Sequence, residues 1–135
     1  MTKKLPRGIR NCNPGNIRIN SDVFQGEINP SKDSAFKQFY TMAYGYRAIF
    51  VILRTYFRNY KLDTIRKIIT HWAPANENHT EAYIATVADR AGISADDLIY
   101  PENREIMIRI VAAISYVENG IEADMADVIK GWELR

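Results

Sequence analysis

The sequence predicts a mainly α domain with a small irregular β lobe near its N-terminus, and three observations carry that reading. Turn formers (Asn, Gly and Pro) are concentrated in residues 1–40, as in Asn13-Pro14-Gly15-Asn16, Gln25-Gly26 and Asn29-Pro30. From Met42 onward, apolar residues recur at spacings of three and four, the helical period. Hydrophobic residues at 47% and charged residues at 25% of 135 are ordinary globular values, so wholesale disorder is excluded and one domain over 1–135 is expected.

The β lobe should span about 7–40 and hold two or three short strands. Asn16-Ile17-Arg18-Ile19 alternates polar and apolar, and Phe36 and Phe39 flank a polar pair. The helical lobe should span about 42–133. Tyr46, Ile49, Phe50, Leu53, Tyr56, Phe57 and Tyr60 predict a core helix over 43–59. Asp63 can cap a second helix burying Ile65, Ile68, Ile69 and Trp72, which Ala73-Pro74 ends. Thr80 can cap a third with Tyr83, Ile84, Val87 and Ala88 inward and Gly92 closing it. Residues 94–97 should form a short helical turn. Pro101 suits the first turn of a long helix over 102–119, stopped by Gly120, and an amphipathic helix follows over 122–132.

Several function classes are excluded early. The longest apolar run, Ala48 to Leu53, is far short of the roughly 20 residues a membrane span needs. The basic N-terminal stretch lacks the apolar core and cleavage site of a signal peptide, so synthesis in a reducing cytoplasm is the expectation. One cysteine, Cys12, excludes an internal disulfide and a cysteine-based zinc site. A net charge of +2 suits an acidic polymer such as cell-wall glycan or nucleic acid without demanding either. No RNA-binding aromatic motif, zinc finger or heptad is present, which counts against nucleic acid as partner.

Among residues able to carry chemistry, Glu118 stands out. It follows Val111, Ile114 and Ser115 at helical spacing, at the edge of a buried stripe. Burial and the negative end of the helix dipole both favour its neutral form, the state a general acid for glycosidic cleavage requires. The ordinary alternative is an exposed Glu ahead of a helix-stopping Asn-Gly. His71, Glu77 and His79 lie within nine residues, but no metal-ligand spacing is present. Glu77 sits in a polar loop before a helix N-terminus, where it can face a cleft. The Asn- and Arg-rich run Arg7–Arg18 suits sugar hydroxyls, N-acetyl groups and carboxylates, and equally well builds turns.

The runs RGIRNCNPGNIR (Arg7–Arg18), FKQF (Phe36–Phe39) with GYRA (Gly45–Ala48), and HWAPANENHT (His71–Thr80) followed by Tyr83 resemble a family of small phage and prophage proteins. These are often labelled virion structural proteins and look like members of the lysozyme-like superfamily. The resemblance covers about residues 6–100 and departs at Cys12, where the family has Asn. A looser similarity joins the chain to cell-wall glucosaminidases and lytic transglycosylases. In those, a helix ending in the catalytic Glu precedes the Asn-rich segment, the β lobe, an aromatic strand and a Tyr-bearing helix. Here almost nothing precedes residue 7, whereas the helix ending at Glu118 looks like the missing one, as in a circular permutation.

What the resemblance implies is a lysozyme-like domain that binds peptidoglycan glycan strands and cleaves their β-1,4 bonds as a hydrolase or lytic transglycosylase. Glu118 would be the general acid, Glu77 the alternative acid or partner, and Tyr83 would position the N-acetyl group or stabilise developing charge. Asn13, Asn16 and Arg18 would line the cleft floor, with Glu27, Phe39, Asn78 and Thr80 as further substrate contacts. Glu77 or Glu27 would activate water if hydrolysis inverts. No cofactor and no metal are implied. The protein would act in the periplasm or cell wall, or travel in a virion beside other virion proteins. The rivals are a virion component that kept the fold without the chemistry, and a DNA-associated helical protein.

Overall fold

The computed structural model describes residues 4–74 and 79–135, and these form a mainly helical protein with one small sheet. In chain order they are α1 (Arg7–Arg10), β1 (Glu27–Ile28), β2 (Gln38–Phe39), α2 (Met42–Tyr60), α3 (Ile65–Trp72), α4 (Thr80–Ala91), α5 (Arg104–Asn119) and α6 (Met125–Glu133). The helix α1 was not expected among so many turn formers. The lobe is otherwise as irregular as its Gly and Pro content suggests. β1 and β2 pair antiparallel with Glu27 opposite Phe39, and one isolated bridge joins Arg18 to Phe36.

Polar side chains do much of what a larger sheet would do there. Asn13, fully buried, donates from Nδ2 to the Ile17 and Lys37 carbonyls (both 2.9 Å) and accepts from the Ile17 amide on Oδ1. The buried Lys37 ammonium donates to both Glu27 carboxylate oxygens (3.1 and 3.0 Å) and to the Asp22 carbonyl (2.7 Å). A buried cation is tolerable only with such full pairing. Asp33 receives two bonds from the Arg7 guanidinium, one from Asn11, and the amides of Ala35 and Phe36.

Helix ends follow side-chain capping and shift several expected boundaries. Thr41 caps α2 by accepting from the Tyr44 amide. Thr64, rather than Asp63, caps α3 through the Lys67 amide, because Asp63 is drawn into an ion pair with the Lys67 ammonium. Thr80 is the first residue of α4 and not its cap: its hydroxyl donates to the Ala73 carbonyl at 2.6 Å, tying α4 to the end of α3. Asn103 caps α5 two residues past Pro101, and Asp124 caps α6. Residues 94–97 close as a turn, not a helix, with Asp97 accepting from the Ser94 amide.

The core lies where α2 meets α5 and α6, filled by Tyr46, Ile49, Leu53, Ile110, Val111, Ile114 and Val128, with α3 and α4 adding Ile65, Ile68, Ile69 and Val87. Each such side chain contributes about 1.5–3 kcal/mol when fully buried. The Tyr46 hydroxyl is satisfied by Ser115 at 2.9 Å. The α2 helix also backs the β lobe: a Cβ on Gly45 would collide with the Cys12 carbonyl, so only glycine permits that approach. Four residues of the expected core stripes differ: Tyr56, Phe57 and Trp72 are half-buried and Tyr60 is exposed, and of these Tyr56, Tyr60 and Trp72 border a groove between the lobes. Among the described residues, no helix is long and apolar enough to cross a membrane.

Candidate functional site

A groove of about 910 Å³ runs between the β lobe and the helices. Its β-lobe side presents Asn16, Arg18, Asn20 and Asp22, and its helical side presents Tyr56, Tyr60, His71 and Trp72. A smaller cavity of about 280 Å³ lies between α4 and α5, bounded by His79, Ala82, Tyr83, Thr86 and Val117. Glu118 borders both.

The Glu118 side chain is half-buried one residue before the end of α5. Its Oε1 accepts from Asn16 Nδ2 at 3.0 Å and its Oε2 accepts from the Tyr83 hydroxyl at 2.9 Å. One donor therefore comes from the β lobe and the other from α4, so the carboxylate joins three parts of the fold. Both bonds compensate for the partial loss of water around the carboxyl group. The Tyr83 phenol is held far above its ordinary pKa by burial first, then by the charge of Glu118 and the bond it donates there. It stays a neutral donor.

Asn16 reaches Glu118 from a left-handed backbone (φ 48°), a conformation Asn tolerates better than most residues. Asn119, buried beside it, donates to the carbonyls of Pro14 (2.8 Å) and Ser115 (2.9 Å). The Oδ1 atoms of Asn16 and Asn119 are buried without a hydrogen-bond partner among the described residues. Both oxygens crowd the α carbon of Gly8, where an added Cβ would stand 2.7 and 2.5 Å from them. Glycine at this position lets α1 press onto the pair.

Of the residues singled out by sequence, Glu118, Asn16 and Tyr83 meet directly, and Arg18 lines the same groove. The Arg18 guanidinium also lies over the Phe36 ring at 5.1 Å, with Arg7 at 4.7 Å. Four others are engaged within the fold. Asn13 is consumed by backbone bonds inside the lobe, and Glu27 by the buried Lys37. Phe39 is core, since the β2 register turns it inward, and the Thr80 hydroxyl is committed to Ala73. Glu77 and Asn78 lie outside the described residues.

Sequence reasoning missed Asp22, whose place in the groove depends on Lys37 holding its carbonyl. It also missed the groove wall of Tyr56, Tyr60, His71 and Trp72, because helical spacing made three of these look like core. His71 belongs to that wall and meets Tyr56 edge to face at 4.7 Å. No cluster of three metal-ligating side chains is found among the described residues.

The arrangement can offer a carboxyl group to a bound ligand from between two cavities. Asp22 and Arg18 line the same groove. No protein-family model matches the chain. It is similar to Protein P5 of Pseudoalteromonas phage PM2, with 40% identity over 127 residues covering 92% of this chain and 78% of that protein. Identity at this level over most of both chains shows common descent: the chain belongs to the family of phage proteins that includes Protein P5 of phage PM2.

Proposed function

We propose that this chain is a lysozyme-like phage protein, carried in the virion, that binds peptidoglycan glycan and cleaves it at β-1,4 bonds. The single observation that supports it is Glu118, held by Asn16 and Tyr83 at the junction of the two cavities. A polymer crossing that junction would expose one inter-sugar oxygen to the carboxyl group. Glu118 in its acid form would protonate that oxygen as the bond breaks, leaving positive charge at the anomeric carbon. With Glu27 committed to Lys37, Asp22, which lines the same groove, would activate water; without water, the sugar's own hydroxyl would close the ring as in a transglycosylase. Tyr83 would keep the Glu118 side chain aimed. The whole of 1–135 would act as one domain, the β lobe forming one wall and the helices the other.

A second reading is a virion component that keeps the groove for binding and performs no cleavage. Membership of a phage protein family favours the virion part of both readings equally. The test is release of soluble fragments from purified peptidoglycan by wild type, Glu118→Gln, Asp22→Asn and Glu77→Gln, with mass analysis of the products. Loss of release of about 100-fold or more in Glu118→Gln alone supports the acid assignment. Loss only in Glu77→Gln moves the acid role to Glu77. Binding without release in wild type establishes the second reading.

A further inference from the structure

The groove beside Glu118 also contains three rings that the proposed chemistry does not use. Tyr60 stacks on His71 with centroids 5.7 Å apart and planes 25° apart, and Tyr56 meets the same imidazole edge to face at 4.7 Å. These contacts fix the rings relative to one another before any ligand arrives. Core packing accounts for Tyr56 but not for the other two rings: Tyr60 is 59% exposed at the end of α2, and His71 is exposed on α3. Burial, and then the neighbouring Tyr60, pushes the Tyr56 phenol up to about 12, so its hydroxyl remains a neutral donor. Across the cavity stand Arg18, Asn20 and Asp22.

The cavity thus has an aromatic side and a hydrogen-bonding side. A pyranose ring matches both, since its C–H face is apolar and its rim carries hydroxyl and N-acetyl groups. Nucleobases also stack on aromatic rings, but a phosphate backbone would share this groove with Asp22, whose like charge opposes it. We infer that Tyr60, held by His71 and Tyr56, is a stacking subsite for an N-acetylated pyranose of a β-1,4-linked strand, separate from the residues around Glu118. The inference rests on the reading of the groove as a glycan site.

The test is calorimetric titration of a soluble β-1,4 N-acetylglucosamine oligomer into wild type and Glu118→Gln, then into Glu118→Gln carrying Tyr60→Ala or Tyr60→Trp. His71 ring signals are followed by NMR. Tyr60→Ala should weaken binding by about three- to tenfold and Tyr60→Trp should retain it, both with an unchanged melting temperature. The His71 signals should shift on titration. Unchanged affinity in Tyr60→Ala overturns the subsite and leaves the glycan reading standing. No binding by either wild type or Glu118→Gln overturns both. Binding of a single-stranded oligonucleotide in preference to the glycan, lost in Tyr60→Ala, overturns the carbohydrate assignment.

Discussion

Asn16 departs from the backbone region most residues occupy and places its amide on a carboxylate 102 positions away. The Asn16→Gly variant tolerates the same φ but loses the hydrogen bond to Glu118 together with the side chain packed at Gly8, so it should destabilise by about 1–3 kcal/mol in urea unfolding. Gly8→Ala should cost more than a typical surface change, because its Cβ would meet Asn119, Asn16 and the Asn13 carbonyl together. Adding Asn119→Ala to it should recover part of that loss, giving a non-additive double-mutant cycle. Additivity would show that the crowding at Gly8 is relieved elsewhere.

Asp33 ties the lobe together in a pH-dependent way. The Arg7 guanidinium foremost, then the Ala35 amide and the Asn11 side chain, hold its carboxyl well below the usual carboxylate range. A depressed pKa in the folded state contributes stability that is fully present above the unfolded value of about 3.9 and is lost as pH falls below it. The melting temperature of wild type should therefore fall more steeply below about pH 4 than that of Asp33→Asn. Parallel curves would remove Asp33 from the acid sensitivity of the fold.

At the scale of elements, α2, α5 and α6 were legible because their apolar residues repeat at the helical period and face one core. Ile114→Ala, in the middle of α5, should cost about 2–5 kcal/mol by denaturant unfolding. Caps were legible only in kind. Asp63 and Thr64 are adjacent capping residue types, and the choice between them was made by Lys67, which takes the carboxylate. The β lobe was legible as irregular but not in detail, since its order comes from Asn13, Lys37 and Asp33 reaching across turns and not from a periodic pattern. Lys37→Met should leave the Glu27 charge buried and unpaired, at about 3–5 kcal/mol, and Glu27→Leu added to it should restore much of the loss. Independent, additive losses would argue that the pair is solvated.

Over the whole molecule, the groove exists because the β lobe is laid against one end of the α5 helix, so residues 16 and 118 touch although they are far apart in sequence. The position of Glu118 at the edge of an apolar stripe could be read from spacing, and the Asn-rich run could be read as polar. Their meeting could be read from neither, because it depends on how the lobe packs against α5. Tyr60 and Trp72 show the converse limit. Periodicity marks which side of a helix is apolar, and it does not say whether that side meets core or a ligand groove.

Glu118 as the acid is the claim on which the rest of the functional account depends. The direct measurement is the rate of soluble fragment release from purified peptidoglycan by wild type and by a folded Glu118→Gln variant that still binds the polymer. The account expects release by wild type and a loss of about 100-fold or more in the variant. Equal release by the two proteins would contradict it.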